Sequence, residues 1–170
     1  LVTRQLEIEN ATDNAHELPA VGYQDGETPG RAIANSLLDA GLGGARVGVE
    51  KSTPWLTVDI YEALRDSAPE AEFVDCAGLI ENLRSIKSAA EIDYMRQAAR
   101  CVGAAINAGL GAVKAGASEL DVASTVSAAR IAAGSHFTRN PTYITSGVRS
   151  ALGHASWTGR IIEPGEIVYF

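Results

Sequence analysis

The spacing of hydrophobic and polar residues changes character along this chain. Over residues 2–9 apolar and charged positions partly alternate, Leu6 and Ile8 falling on one face and Glu7 and Glu9 on the other, which predicts a strand. "TPGRAIANSLLDAGLGG" instead sets Ile33, Leu37, Leu38 and Ala40 at helical spacing, with Pro29 near the start and Gly41 just past the end, where helix termini favour them. "RVGVE" reads as a short strand, "LTVDIYEALRDSAP" as a second amphipathic helix stopped before Pro69, and "EAEFVD" as another strand. Strands and helices alternating at these intervals predict a small α/β domain with helices packed on its sheet.

Beyond "LIENLRSIKS" the period is helical for longer. Ser88 and Glu91 have capping-box spacing, and Ile92, Met95, Ala99, Val102, Ile106, Leu110 and Val113 then recur every three or four residues, an apolar stripe ending near Gly116. "SELD" from Ser118 repeats the cap signal, so a second helix is predicted through Leu120, Val122, Ala123, Val126 and Ile131 to Gly134. Small residues crowd both helices and imply close packing. "PTYITSG" then reads as a strand, "VRSALGHASWTG" as a loop, and "RIIEPGEIVYF" as a hairpin around Pro164 and Gly165.

Composition narrows the function classes. The chain has 170 residues, 46% hydrophobic and 21% charged, room for one large domain or two small ones with a real core. A net charge of -7 gives no field to attract phosphate backbones or anionic lipid, so neither nucleic acid nor membrane is expected as a partner. "CVGAAINAGLGAV" is too short to span a bilayer and contains Asn107. The two cysteines, Cys76 and Cys101, form no C-x-x-C pair and read as buried free thiols in a reducing cytoplasm. The chain opens without methionine and stops inside the apolar run "GEIVYF". Both ends read as cut, and an uncovered sheet edge after Phe170 is expected to aggregate or pair edge to edge.

The candidate chemistry is sparse. There is no G-x-x-x-x-G-K-[ST] phosphate loop, no H-E-x-x-H metal pair and no G-x-S-x-G nucleophile elbow. The glycines of "GLGGARVGVE" lack the dinucleotide-binding order and read as a helix C-cap and turn. Three histidines remain. His16 reads as a surface residue in "ATDNAHELP", and His136, just past Gly134, as cover for helix-end carbonyls. His154 sits among small residues on a loop between a strand and a hairpin. That is a favourable place for catalysis and an equally ordinary one for a polar surface residue.

The order and spacing of "LRSIKSAAEIDYMRQAAR", "AGASELDVAS" and "ITSGVRSALGHASWTGRIIEPGEIV" resemble the creatinase, prolidase and aminopeptidase P group, the pita-bread hydrolases of the M24 peptidase type. "VTRQLE" and "ARVGVE" look like strands of that group's N-terminal domain. The resemblance implies the C-terminal part of an α/β N-terminal domain over residues 1–84 and the first half of an α+β pita-bread catalytic domain over residues 85–170. It implies a cytoplasmic hydrolase cleaving a C–N bond in a small amide or an Xaa-Pro-type peptide. His154 matches the histidine that contacts the scissile group and handles a proton, the task an imidazole suits near neutral pH. Tyr143 and Arg160 are candidates for the substrate pocket, set against a core tyrosine and a solvent-facing arginine.

Peptidase members of the group hold two divalent metal ions (Mn, Co or Zn) on two Asp, one His and two Glu. By motif order all five ligands would follow His154, the first directly after Phe170, so residues 1–170 should hold no metal and should be inactive by themselves. Creatinase-type members need none, and "HASWTGR" looks more like that branch or its ectoine-hydrolase-like relatives. A homodimer is implied, each N-terminal domain helping to close its partner's active site. A non-catalytic pita-bread protein that binds a partner or peptide is the alternative from another class.

Overall fold

The computed structural model describes residues 1–15, 18–138 and 140–170, and the chain divides into two units, Leu1–Ile86 and Lys87–Phe170. His16, read above as a surface residue, lies outside the described residues.

The first unit is built from two parallel β-α-β pieces. Strand β1 (Val2–Arg4) pairs with β2 (Val21–Tyr23), the chain passing between them through a short 3-10 turn and α1 (Ile8–Ala15). The strand expected over residues 2–9 is therefore only three residues long. The polar run after Ile8 supplies no further β-formers, and Ile8 opens a helix instead of closing a strand. After α2 (Pro29–Asp39), β3 (Arg46–Val49) pairs with β4 (Glu72–Asp75) across α3 (Val58–Ser67), and α4 (Leu79–Ser85) follows. The expected ends of α2 are present: Pro29 opens it, and Gly41 adopts φ 72° as the Leu42 N–H donates to Leu37 O at 2.8 Å.

Ala34, Leu64 and Ala68 form the buried centre of this unit, with Ile33, Leu37, Val49, Ala71 and Phe73 packed around them. Gly30 lets α2 and α3 approach. A Cβ there would stand 2.1 Å from Ile60 O and 2.8 Å from Leu64 N, both backbone atoms that cannot rotate away. Gly30→Ala should therefore destabilise this unit by about 2 to 3 kcal/mol, the cost of overpacking at a helix crossing. A urea-unfolding midpoint unchanged from the parent would show that the two helices re-space freely.

In the second unit both predicted caps form as reciprocal capping boxes. Ser88 and Glu91 open α5 (Ala89–Ala112), and Ser118 and Asp121 open α6 (Glu119–Ala132). The packing face of α5 differs from the expected one. Ile92, Met95, Val102, Ile106 and Leu110 of the apolar stripe are exposed, whereas Cys101, Ala105 and Gly109 are buried. Small side chains allow the closer approach: a Cβ on Gly109 would stand 2.8 Å from both a Val126 methyl and the Phe170 ring. Ala105, Ala117, Val122, Ala123, Val126, Ile144 and Ile162 make the core, with Val113, Trp157 and Val168 against it.

The last-turn carbonyls of α6 are met mainly by backbone. Gly134 N–H donates to Ile131 O, Ser135 N–H to Arg130 O and the buried Cys101 thiol to Ala133 O, a task the sequence assigned to the His136 ring. Both cysteines are free thiols, Cys76 only half-buried. The expected hairpin is also rearranged. The chain turns at Pro164–Gly165, but its arms find different partners. Ile162 N–H donates to Ala117 O at 2.9 Å, beside an antiparallel bridge between Ile161 and Ser118. The second arm, β6 (Val168–Tyr169), pairs antiparallel with β5 (Thr145–Ser146). No helix among the described residues is long and apolar enough to cross a membrane.

Candidate active site

His154 stands at the exposed end of a loop that leaves β5 through a 3-10 helix (Gly147–Ala151) and returns at Thr158. Its φ is 58°, and among the described residues it is the non-glycine residue with positive φ. Such a conformation costs about 1 to 3 kcal/mol and persists where the surroundings enforce it. The Tyr143 ring lies against the imidazole, with centroids 5.1 Å apart and planes inclined by 36°. Two of the three residues singled out in the sequence are thus brought together.

Arg160 is held elsewhere. Its guanidinium donates two bonds to the Glu166 carboxylate, at 2.5 and 2.6 Å, and one to Ser146 Oγ at 2.7 Å. The mutual hydrogen bonding raises the Arg160 pKa and lowers that of Glu166. Gly147, at φ 58°, passes so close to this pair that a Cβ would meet Glu166 Oε1 at 2.3 Å.

Beneath the loop lies a group that sequence reading took only as part of a cap signal. Glu119, the first residue of α6, is fully buried. Its Oε1 accepts from Ser146 N–H and Ser146 Oγ–H, both at 2.8 Å. Its Oε2 accepts from Arg149 Nη1 at 2.5 Å, Thr158 N–H at 2.8 Å and Thr158 Oγ–H at 3.1 Å. Burial alone would raise the carboxyl pKa. The donors from Thr158, Ser146 and Arg149 together outweigh it and bring the value from 4.5 down to about 2. Arg149 also donates to Ser156 O at 2.8 Å, closing the loop on itself. The spacing of Ser118 and Asp121 revealed the cap. It held no sign of Glu119's burial, because the covering donors come from 27 to 39 residues further along the chain.

Among the described residues no group of three or more His, Cys, Asp or Glu side chains converges as a metal site. Glu119 and Glu166 already have arginine partners. The described residues do not fit a dinuclear metal centre.

Residues 1–86 match the creatinase/prolidase N-terminal domain, and residues 93–170 match metallopeptidase family M24. An Xaa-Pro dipeptidase of Lactobacillus helveticus is 28% identical over 97% of this chain and 45% of its own length. A creatinase of a Bacillus species is 29% identical over 81% of this chain and 34% of its own length. Among solved structures, an Xaa-Pro dipeptidase from Bacillus anthracis superposes with a TM-score of 0.76 at 29% identity, covering 98% of this chain and 45% of that one. The chain thus spans less than half the length of these relatives. Its fold is a creatinase-type α/β N-terminal domain portion followed by the first half of an α+β pita-bread catalytic domain. The chain belongs to the creatinase/prolidase family, its first half matching that family's N-terminal domain and its second the M24 peptidase domain.

Proposed function

We propose that this chain is part of a hydrolase that cleaves a C–N bond in an Xaa-Pro-type peptide or a small amide, with His154 handling the proton. Residues 1–84 contribute part of the N-terminal domain, and residues 85–170 bring His154 to the scissile group. The observation that carries the reading is the imidazole itself: exposed, held in a left-handed conformation and backed by the Tyr143 ring. An imidazole so placed can hydrogen-bond a developing oxyanion or protonate the leaving nitrogen. Tyr143 lines the pocket by fixing the ring plane. Arg160 contributes from behind, where its bonds to Ser146 and Glu166 hold the strand that starts the loop.

In the peptidase reading two divalent ions would be held by ligands other than the described residues, and their chemistry would be to activate water. In the creatinase-like reading none is needed. The protein is proposed to be a cytoplasmic homodimer, with no nucleic-acid or membrane partner.

The full chain should be assayed with the dipeptide Met-Pro, with and without added Mn²⁺, and with creatine. Mn²⁺-dependent release of proline supports the peptidase reading, and metal-independent cleavage of creatine supports the small-amide reading. Hydrolysis of neither, with Met-Pro still bound, would make the protein a binding relative and overturn the enzymatic reading.

A further inference from the structure

We infer that Glu119 and Arg149 together form a positioning clamp that fixes His154 in its working geometry. The inference rests on the catalytic reading of His154 given above. Five donors converge on the one buried carboxylate, and they come from both sides of the histidine: Ser146 and Arg149 precede it, and Thr158 follows it. Arg149 adds a second closure by donating from Nη2 to Ser156 O, two residues past His154. Between these ties the loop carries the left-handed His154. A loop pinned at both ends to the rigid first turn of α6 has few ways to relax a strained residue at its apex.

The clamp is anchored in its turn. Ser146 Oγ donates to Glu119 while accepting from Arg160, which also donates to Glu166 and to Ile161 O. Ser150 Oγ donates to Ile167 O at 2.9 Å, tying the 3-10 helix to the residue just before β6. Glu119 is fully buried beneath the loop, both its carboxylate oxygens taken up by loop donors. Its effect on the reaction runs through the loop, and it is a positioning residue.

Glu119→Gln tests this. The amide has the same shape but carries no charge. Whichever way it turns, its NH₂ confronts donors, either those of Ser146 or those of Arg149 and Thr158. In the full chain, kcat for Met-Pro (or for creatine, if that is the compound hydrolysed) should fall at least about tenfold, with KM within about threefold. The deciding measurement is E119Q in a His154→Ala background. A clamp that acts through His154 adds no further loss there, so the double variant should match H154A alone. Multiplying losses, or E119Q turnover within twofold of the parent, would overturn the clamp.

Amide hydrogen exchange separates the two readings. E119Q should speed exchange across residues 147–158 at least about tenfold while α5 stays protected. If H154A keeps near-wild-type turnover, or no hydrolysis is found, the catalytic reading fails by itself, and the clamp stands or falls on this exchange. Unchanged exchange over residues 147–158 overturns it. Should E119Q not fold, Thr158→Val removes one hydroxyl donor and leaves the backbone bond, and it carries the same comparisons.

Discussion

His154→Ala in the full chain is expected to lower turnover at least about a hundredfold, the usual scale for removing a group that transfers a proton in the transition state. The side chain is exposed, so its loss empties no core and little stability should change through packing. Its backbone needs care, because alanine tolerates φ near 58° no better than histidine does. His154→Asn supplies the control. Asparagine occupies the left-handed region readily and cannot act as a general acid or base at neutral pH. Both variants should lose turnover alike while H154N keeps the parent's thermal midpoint to within about 2 °C. A pH profile adds a second readout, since the limb set by the imidazole should vanish in both. Turnover near the parent's in H154N would remove His154 from the chemistry.

What could be read from sequence was governed by the range of the interactions involved. The ends of α2, α5 and α6 rest on contacts three to five residues apart: Ser88 with Glu91, Ser118 with Asp121, and Leu42 with Leu37. All of these are visible in a short window. Residues 5–8 depart from the expected strand because their alternation fits a strand for four positions and a helix equally well once Ile8 is its start. The exposed stripe on α5 shows a different limit. Large apolar side chains at helical spacing mark an amphipathic face, but the contact with α6 is made by Cys101, Ala105 and Gly109, whose small size sets the interhelical distance.

Long-range pairing was the hardest part to foresee. "RIIEPGEIVYF" has the turn of a hairpin, yet Ile162 bonds to Ala117 and Val168 pairs with Ser146. For the site, the order of motifs singled out His154, and Tyr143 joined it. Glu119 stayed hidden because a glutamate at the first position of a helix is ordinary on electrostatic grounds. Only the return of residues 146–158 over it turns a favourable terminal charge into a buried one.

That burial makes Glu119→Ala the substitution with the largest expected effect on folding. Truncation leaves the Arg149 guanidinium, whose side chain is 25% exposed, without its counter-charge, and leaves the N–H groups of Ser146 and Thr158 without acceptors. Breaking a buried ion pair from one side costs about 3 to 5 kcal/mol at neutral pH. Part of that cost should depend on pH in a definite sense. The folded carboxyl titrates near 2 and the unfolded one near 4.5, so the charged form favours the folded state. Its contribution is complete above the unfolded value and is lost as pH falls from 4.5 towards 2. The full shift corresponds to about 3 kcal/mol. Because Arg149 and Thr158, which cover the carboxylate, are themselves partly exposed, screening brings the expected contribution to about 2 kcal/mol. Unfolding free energies of parent and E119A, measured by urea denaturation between pH 7 and pH 2, should therefore converge by that amount as acid is added. A gap that stays constant across the range would mean that Glu119 stabilises the fold by its shape, with its charge contributing nothing.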